Sequence, residues 1–188
     1  VILSRTTLLK RLRDRDHRRR ITVSPILDAE LQIGHSSVDL RLGNEFVLVN
    51  KATGVLGINP LRRAELADRL SRYQARLEIP YGTPFYLHPH EFSLARTFEY
   101  LALPDGVAGY VVGRSSWGRL GLIIATATVV QPGFKGTLVL ELANIGSVPV
   151  VLYPGMRIAQ IVLHTVSLED TSVGQVPEAV RHTVQPRP

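Results

Sequence analysis

The chain has 188 residues, with 22 Lys and Arg against 16 Asp and Glu for a net charge of +6, 45% hydrophobic residues and no cysteine. That length suits one domain with a buried core, or such a domain with a short arm and tail. No apolar run approaches the roughly 20 residues that span a bilayer, and the lack of cysteine excludes disulfides, thiolate zinc sites and thiol nucleophiles. It also excludes the cysteine-based zinc signature of one large class of deaminases.

In chain order, Val1, Ile2 and Leu3 pass at once to Ser4 and a basic stretch, with no secretory apolar region and cleavage site, so the expected compartment is the cytoplasm. Ser4 ahead of Leu8, Leu9 and Leu12 predicts an N-capped helix with one apolar stripe, opening a basic helical arm over residues 1–20. The run from Lys10 to Arg20, KRLRDRDHRRR, holds seven Lys or Arg and two Asp. It reads as a solvated helix face or a subunit-contact arm. Nucleic acid is the weaker alternative and is not an expected partner, because neither interleaved aromatics nor a groove-reading motif accompanies the charge.

From Ser37 to Gly43 polar and apolar residues alternate, the period of a half-buried strand, and Phe46 and Leu48 continue it. Leu61, Ala64, Leu66 and Leu70, set among Arg, Glu and Ala, predict a helical insertion over 60–72. Strands are then expected at Phe85–His88, Phe92–Arg96, Gly109–Val112, Leu122–Thr128, Thr137–Asn144, Val148–Tyr153 and Ile158–His164. Turn residues separate them at Pro104-Asp105-Gly106, Pro132-Gly133, Ile145-Gly146-Ser147 and Pro154-Gly155. Many short strands at regular spacing predict a mainly β domain, a sandwich or jelly-roll barrel, over residues 1–166. Residues 167–188 are polar with three prolines and read as an extended tail.

Four segments carry chemistry. They are Ser36 to Gly43, Gly113 to Gly121 (GRSSWGRLG), Pro132 to Gly136 running into Leu138–Leu142, and Tyr153 to Gln160. A strand ending at Gly113 and opening into Arg114, Ser115 and Ser116 offers a guanidinium fork, two hydroxyls and turn N–H groups at one edge. Such an edge can hold a polyphosphate without a P-loop; the alternative is a surface turn with capping serines. Glu141 shares a strand face with Thr137, Val139 and Ala143, while Leu138, Leu140 and Leu142 face the other way. A carboxylate among small apolar neighbours is partly desolvated, which suits a group that accepts and passes on protons. The alternatives are an exposed glutamate on an outer sheet face or a buried partner of an arginine.

This ordered set, with the opening Ile2-Leu3-Ser4, closely resembles the dCTP deaminases and their dUTPase relatives as far as about His164. The resemblance implies a distorted jelly-roll β-barrel of the dUTPase type with an N-terminal helix, assembled as a homotrimer with sites between subunits. It implies hydrolytic deamination of dCTP to dUTP and ammonia. Glu141 matches the glutamate that activates a water for addition to C4 of the base, and Ser115 and Arg119 match the residues that flank it. Arg114, Ser116 and Gln160 match the grip on the triphosphate, with Mg²⁺ bridging its oxygens. Asp39 is the nearest candidate to place that ion, or else pairs with Arg41. Zinc is not expected, since His88 and His90 have no third ligand.

The segment LIIATATVVQ, from Leu122 to Gln131, is one residue shorter than the usual deaminase segment. Ala127 and Thr128 would offer backbone groups to the base, and Gln131 stands where the family has an aspartate beside the sugar. An amide cannot take the proton that the dUTPase aspartate handles, so intact dUTP is the expected product. The alternatives are a dUTP diphosphatase or bifunctional dCTP-to-dUMP enzyme, and a non-catalytic deoxynucleotide-binding regulator, since the tail lacks the family's closing segment. Expected partners are a pyrimidine deoxynucleoside triphosphate and further copies of the chain, with no membrane.

Overall fold

The computed structural model describes residues 1–49, 61, 71, 73–125 and 129–167. Helix α1, Arg5–Leu12, starts where Ser4 takes extended backbone and its hydroxyl accepts the Thr7 N–H at 3.4 Å. Leu8 is fully buried, and Leu9 and Leu12 pack against the core beside it. The helix stops at Leu12 rather than running through the charged segment. Asp14 and Asp16 explain this, because their carboxylates accept the backbone N–H groups of Asp16 and Arg18 and so favour turns over helix.

Strand β1 spans Thr22–Ser24 and helix α2 Ala29–Gln32; β2 is Ser37–Val49, β3 Gln74–Glu78, β4 Phe85–Leu87, β5 Phe92–Ala102 and β6 Val107–Gly113. Helix α3 covers Ser115–Gly118, and β7 Leu122–Ala125, β8 Val129–Val130, β9 Lys135–Asn144, β10 Val150–Leu152 and β11 Arg157–Thr165 complete the chain. The molecule is mainly β, as its turn spacing predicts. Beyond the expected elements, β1, β3, β8, α2 and α3 are additional. Gln74–Glu78 has the composition of a helix, yet it pairs with Glu45–Val49 of β2, a case of sheet context overriding local preference. The insertion expected over 60–72 and the tail expected from 167 lie almost wholly outside the described residues. No helix among the described residues is long and apolar enough to cross a membrane.

Nine strands form one curled antiparallel sheet in the order β7-β9-β5-β2-β11-β6-β8, with β1 added to β5 and β3 to β2, while β4 and β10 make a separate ribbon. The long β2 belongs to both halves of it. Residues 37–41 pair with β11, and the remainder pairs with β5 and β3. The bend falls at Gly43, where a Cβ would lie 2.8 Å from the carbonyl oxygen of Arg96. Only glycine permits that approach. Leu40, Leu42 and Phe46 from β2, Leu140 and Leu142 from β9, and Ile158, Ile161 and Leu163 from β11 fill the interior. Each such side chain contributes roughly 1.5–3 kcal/mol on burial.

Candidate functional site

Where β6 ends, Arg114 keeps an extended backbone (φ −82°, ψ 135°) and opens the four-residue helix α3. Its carbonyl accepts the N–H groups of Trp117 and Gly118 at 3.0 and 3.2 Å. No side chain caps this helix, so Ser115 and Ser116, both exposed, keep their hydroxyls for other partners. That removes the reading of this segment as a turn with capping serines.

The Arg114 guanidinium donates to Oδ2 of Asp39. Arg157, the first residue of β11, donates to the same oxygen at 3.3 Å and to the carbonyl of Leu31 at 2.7 Å. The Arg157 carbonyl in turn accepts the indole N–H of Trp117 at 2.9 Å. Thus Arg157 ties together α2, β2 and α3. Asp39 is 13% exposed, whereas the two guanidinium groups are 31% and 34% exposed. Each guanidinium has five N–H donors, and Asp39 engages only one nitrogen of each, so donors remain for an anion. Gln160 sits directly opposite Asp39 across the β2–β11 pair, and its carbonyl oxygen accepts the Ser37 hydroxyl at 3.1 Å.

Beneath this cluster lies a buried one. Glu99 accepts the Arg41 backbone N–H at 2.7 Å and the Arg41 guanidinium at 3.0 Å, while Gln32 donates to Glu99 at 3.0 Å and to the Asp39 carbonyl at 3.1 Å. Burial pushes the Glu99 carboxyl above the usual carboxylate range, against the opposing pull of its bonds to Arg41. The sequence offers Arg41 as a partner for Asp39, but Arg41 turns to Glu99 instead. A register shift between Arg157 and Ala159 on β11 breaks the alternation of β2 at this point, and Arg41, Leu42 and Gly43 are all buried.

Glu141 lies in the middle of β9, half-buried, between Leu94 of β5 and Ala125 of β7. Leu140 and Leu142 point into the core, as their spacing predicts. The Glu141 side chain makes no hydrogen bond or ion pair among the described residues, so it is not the buried partner of an arginine. Ser115 and Arg119 are exposed without a bond to it, and Gln131 is exposed just beyond β8. Ala127 and Thr128 lie outside the described residues. Within one chain the structure therefore gathers Ser37, Asp39, Arg114, Arg157 and Gln160, and no bond joins Glu141 to them. Arg157 and the Gln32, Arg41 and Glu99 cluster are absent from the candidate list that the sequence supplies. The one hint was Arg157, a charge heading an otherwise apolar strand.

The curled antiparallel sheet and its arginine–serine turn define a mainly β protein with an anion-facing arginine edge. Within that class it belongs to the dCTP deaminase-like family, an enzyme family of hydrolases, whose model matches residues 2–166. A protein of Dictyoglomus turgidum named dCTP deaminase, dUMP-forming, is 48% identical over 162 residues, covering 86% of this chain and 78% of its own length. A Haloarcula marismortui protein named dCTP deaminase is 42% identical over 162 residues, again 86% of this chain and 78% of its own. The crystal structure of 2'-deoxycytidine 5'-triphosphate deaminase from Agrobacterium tumefaciens superposes with a TM-score of 0.64 at 24% identity, over 88% of this chain and 48% of that one. This last likeness bears on the fold alone.

Proposed function

We propose that this protein hydrolytically deaminates dCTP and carries the nucleotide on to dUMP. The observation behind this reading is the 48% identity, over 86% of the chain, to a protein named dCTP deaminase, dUMP-forming. In the first step Glu141 takes a proton from a water as its oxygen adds to C4 of the base. It passes that proton to N3 as the C4–N3 double bond becomes single, then carries the proton of the new C4 hydroxyl to the amino group, so that the bond from C4 to that nitrogen breaks and ammonia leaves as the C4 carbonyl forms. Ser115 and Arg119 orient the water and the glutamate. Arg114 and Ser116 hold the triphosphate, with Gln160 beside them.

The second step adds water at the α-phosphate of dUTP and releases pyrophosphate. Here Gln131 favours a second reading, in which the reaction stops at dUTP. An amide positions a water by hydrogen bonding but supplies no charge to the developing nucleophile.

A magnesium ion bound to the triphosphate would supply charge neutralisation at the phosphate oxygens. No group of three or more acidic or histidine side chains able to hold a metal ion occurs among the described residues, and Asp39 already serves two guanidinium groups. That donor set suits an ion carried by phosphate oxygens rather than one anchored on Asp39.

The working unit in this reading is a homotrimer. Support comes from the exposed apolar residues around Glu141 and around Gln160, and from the lack of any bond between Glu141 and Arg114 among the described residues. Phe92, Ile123 and Val139 lie on the Glu141 face, and Tyr110, Val112 and Val129 lie on the Gln160 face, all at least 38% exposed. The test is incubation with dCTP and Mg²⁺, with ammonia measured and nucleotides separated by ion exchange. dUMP with pyrophosphate supports the reading, accumulating dUTP selects the second one, and binding without ammonia release leaves only the regulator.

A further inference from the structure

The positive charge of this chain is concentrated in one place outside the site. Lys10 to Arg20 carries seven Lys or Arg and two Asp, leaving +5 in that segment out of a total of +6. The rest of the chain is close to neutral. The segment is also folded. At its base the Ile21 N–H donates to the Arg11 carbonyl at 3.2 Å and the Arg11 guanidinium donates to the Arg19 carbonyl at 3.1 Å. At its tip the N–H groups of Arg19 and Arg20 both reach the Asp16 carbonyl, at 3.0 and 2.9 Å.

Both acids are used inside the loop. Asp14 accepts the Asp16 N–H at 3.1 Å and lies 3.8 Å from the Arg19 guanidinium, and Asp16 accepts the Arg18 N–H at 3.0 Å. Arg13, Arg15, Arg18 and Arg20 are exposed and have no carboxylate partner among the described residues. Asp14 stands four residues from Lys10 and Arg18, and Asp16 four from Arg20, a spacing that pairs charges on a helix. Because the helix ends at Leu12, the acids instead shape the turn and leave those four guanidinium groups without a carboxylate.

From these observations we propose that residues 13–20 dock the phosphate backbone of a nucleic acid. Six of the seven cations between Lys10 and Arg20 are arginine, whose planar fork matches phosphate oxygens. Residues 13–20 contain no apolar side chain to insert into a bilayer and no aromatic ring other than His17 to stack on bases. Binding is therefore to the backbone and independent of sequence. No hydrogen bond or ion pair joins the loop to Asp39, Arg114, Gln160 or Glu141 among the described residues, so this function is separate from turnover at the nucleotide site.

The test is a fluorescence-anisotropy titration of a labelled mixed-sequence DNA duplex with the full chain. With about four phosphates neutralised, affinity should fall about 150-fold between 50 and 200 mM salt, equally for a scrambled duplex. Replacing Arg13, Arg15, Arg18 and Arg20 together by Gln should weaken binding at 50 mM salt at least about 100-fold while ammonia release and melting temperature stay unchanged. The corresponding Lys replacements should restore binding to within about tenfold. If the Gln variant melts early, single Arg15→Gln and Arg18→Gln variants should each weaken binding about threefold to tenfold. Duplex binding that ignores these substitutions, binding to anionic phospholipid vesicles in place of duplex, or loss of turnover in a well-folded Gln variant would each overturn the proposal.

Discussion

Glu141 and Asp39 are both partly buried acids, but only Asp39 is paired. The difference suits the roles proposed for them, since a proton shuttle must be free to change charge and an anchor must not. Glu141→Gln should keep nucleotide binding and lose on the order of 10² to 10⁴ in turnover, measured as ammonia release beside a binding titration. Wild-type rates in that variant would remove Glu141 from the chemistry. Glu99 lends itself to a pH test. Because burial raises its carboxyl, the folded chain keeps this proton at a pH where the unfolded chain has lost it. Its contribution to stability is therefore full below the ordinary carboxylate range and declines as pH rises through the raised value. Thermal melts upward from about pH 4 should show that decline in the wild type and lack it in Glu99→Gln. Removing the side chain altogether, in Glu99→Ala, strands Arg41 and should cost about 3–5 kcal/mol.

At the scale of elements, β2 holds the two halves of the sheet together and brings Asp39 to the site. Its bend depends on the contact between Gly43 and the Arg96 carbonyl. Gly43→Ala should destabilise the fold by about 1–3 kcal/mol, read as a lower melting temperature, because backbone rather than a movable side chain blocks the new methyl. An unchanged melt would mean that β5 shifts freely there, contrary to its pairing on both edges.

For the whole molecule, exposed apolar side chains surround both Glu141 on β9 and Gln160 on β11, and the proposed function joins the two across subunits. Light scattering after size exclusion should therefore give about three times the 20.8 kDa chain mass. Val112→Arg, placed on the Gln160 face, should yield a smaller species with ammonia release reduced in step. A wild-type monomer that turns over dCTP would sink the shared-site arrangement.

The N-capped helix, the turns at Pro104–Gly106 and Pro132–Gly133, most strands from Phe85 onward and the outward face of Glu141 were legible in the sequence. Each depends on residues close together in the chain, through a cap, a turn or a two-residue period. Family motifs likewise pointed to Arg114 and Gln160, which the fold brings beside Asp39. What only the tertiary structure decided is which charges meet. Asp39 finds Arg114 and Arg157 at separations of 75 and 118 residues, and Arg41 finds Glu99 at 58. Those partners follow from sheet order and from the register shift on β11, and a one-residue change of register would send the same side chains to opposite faces.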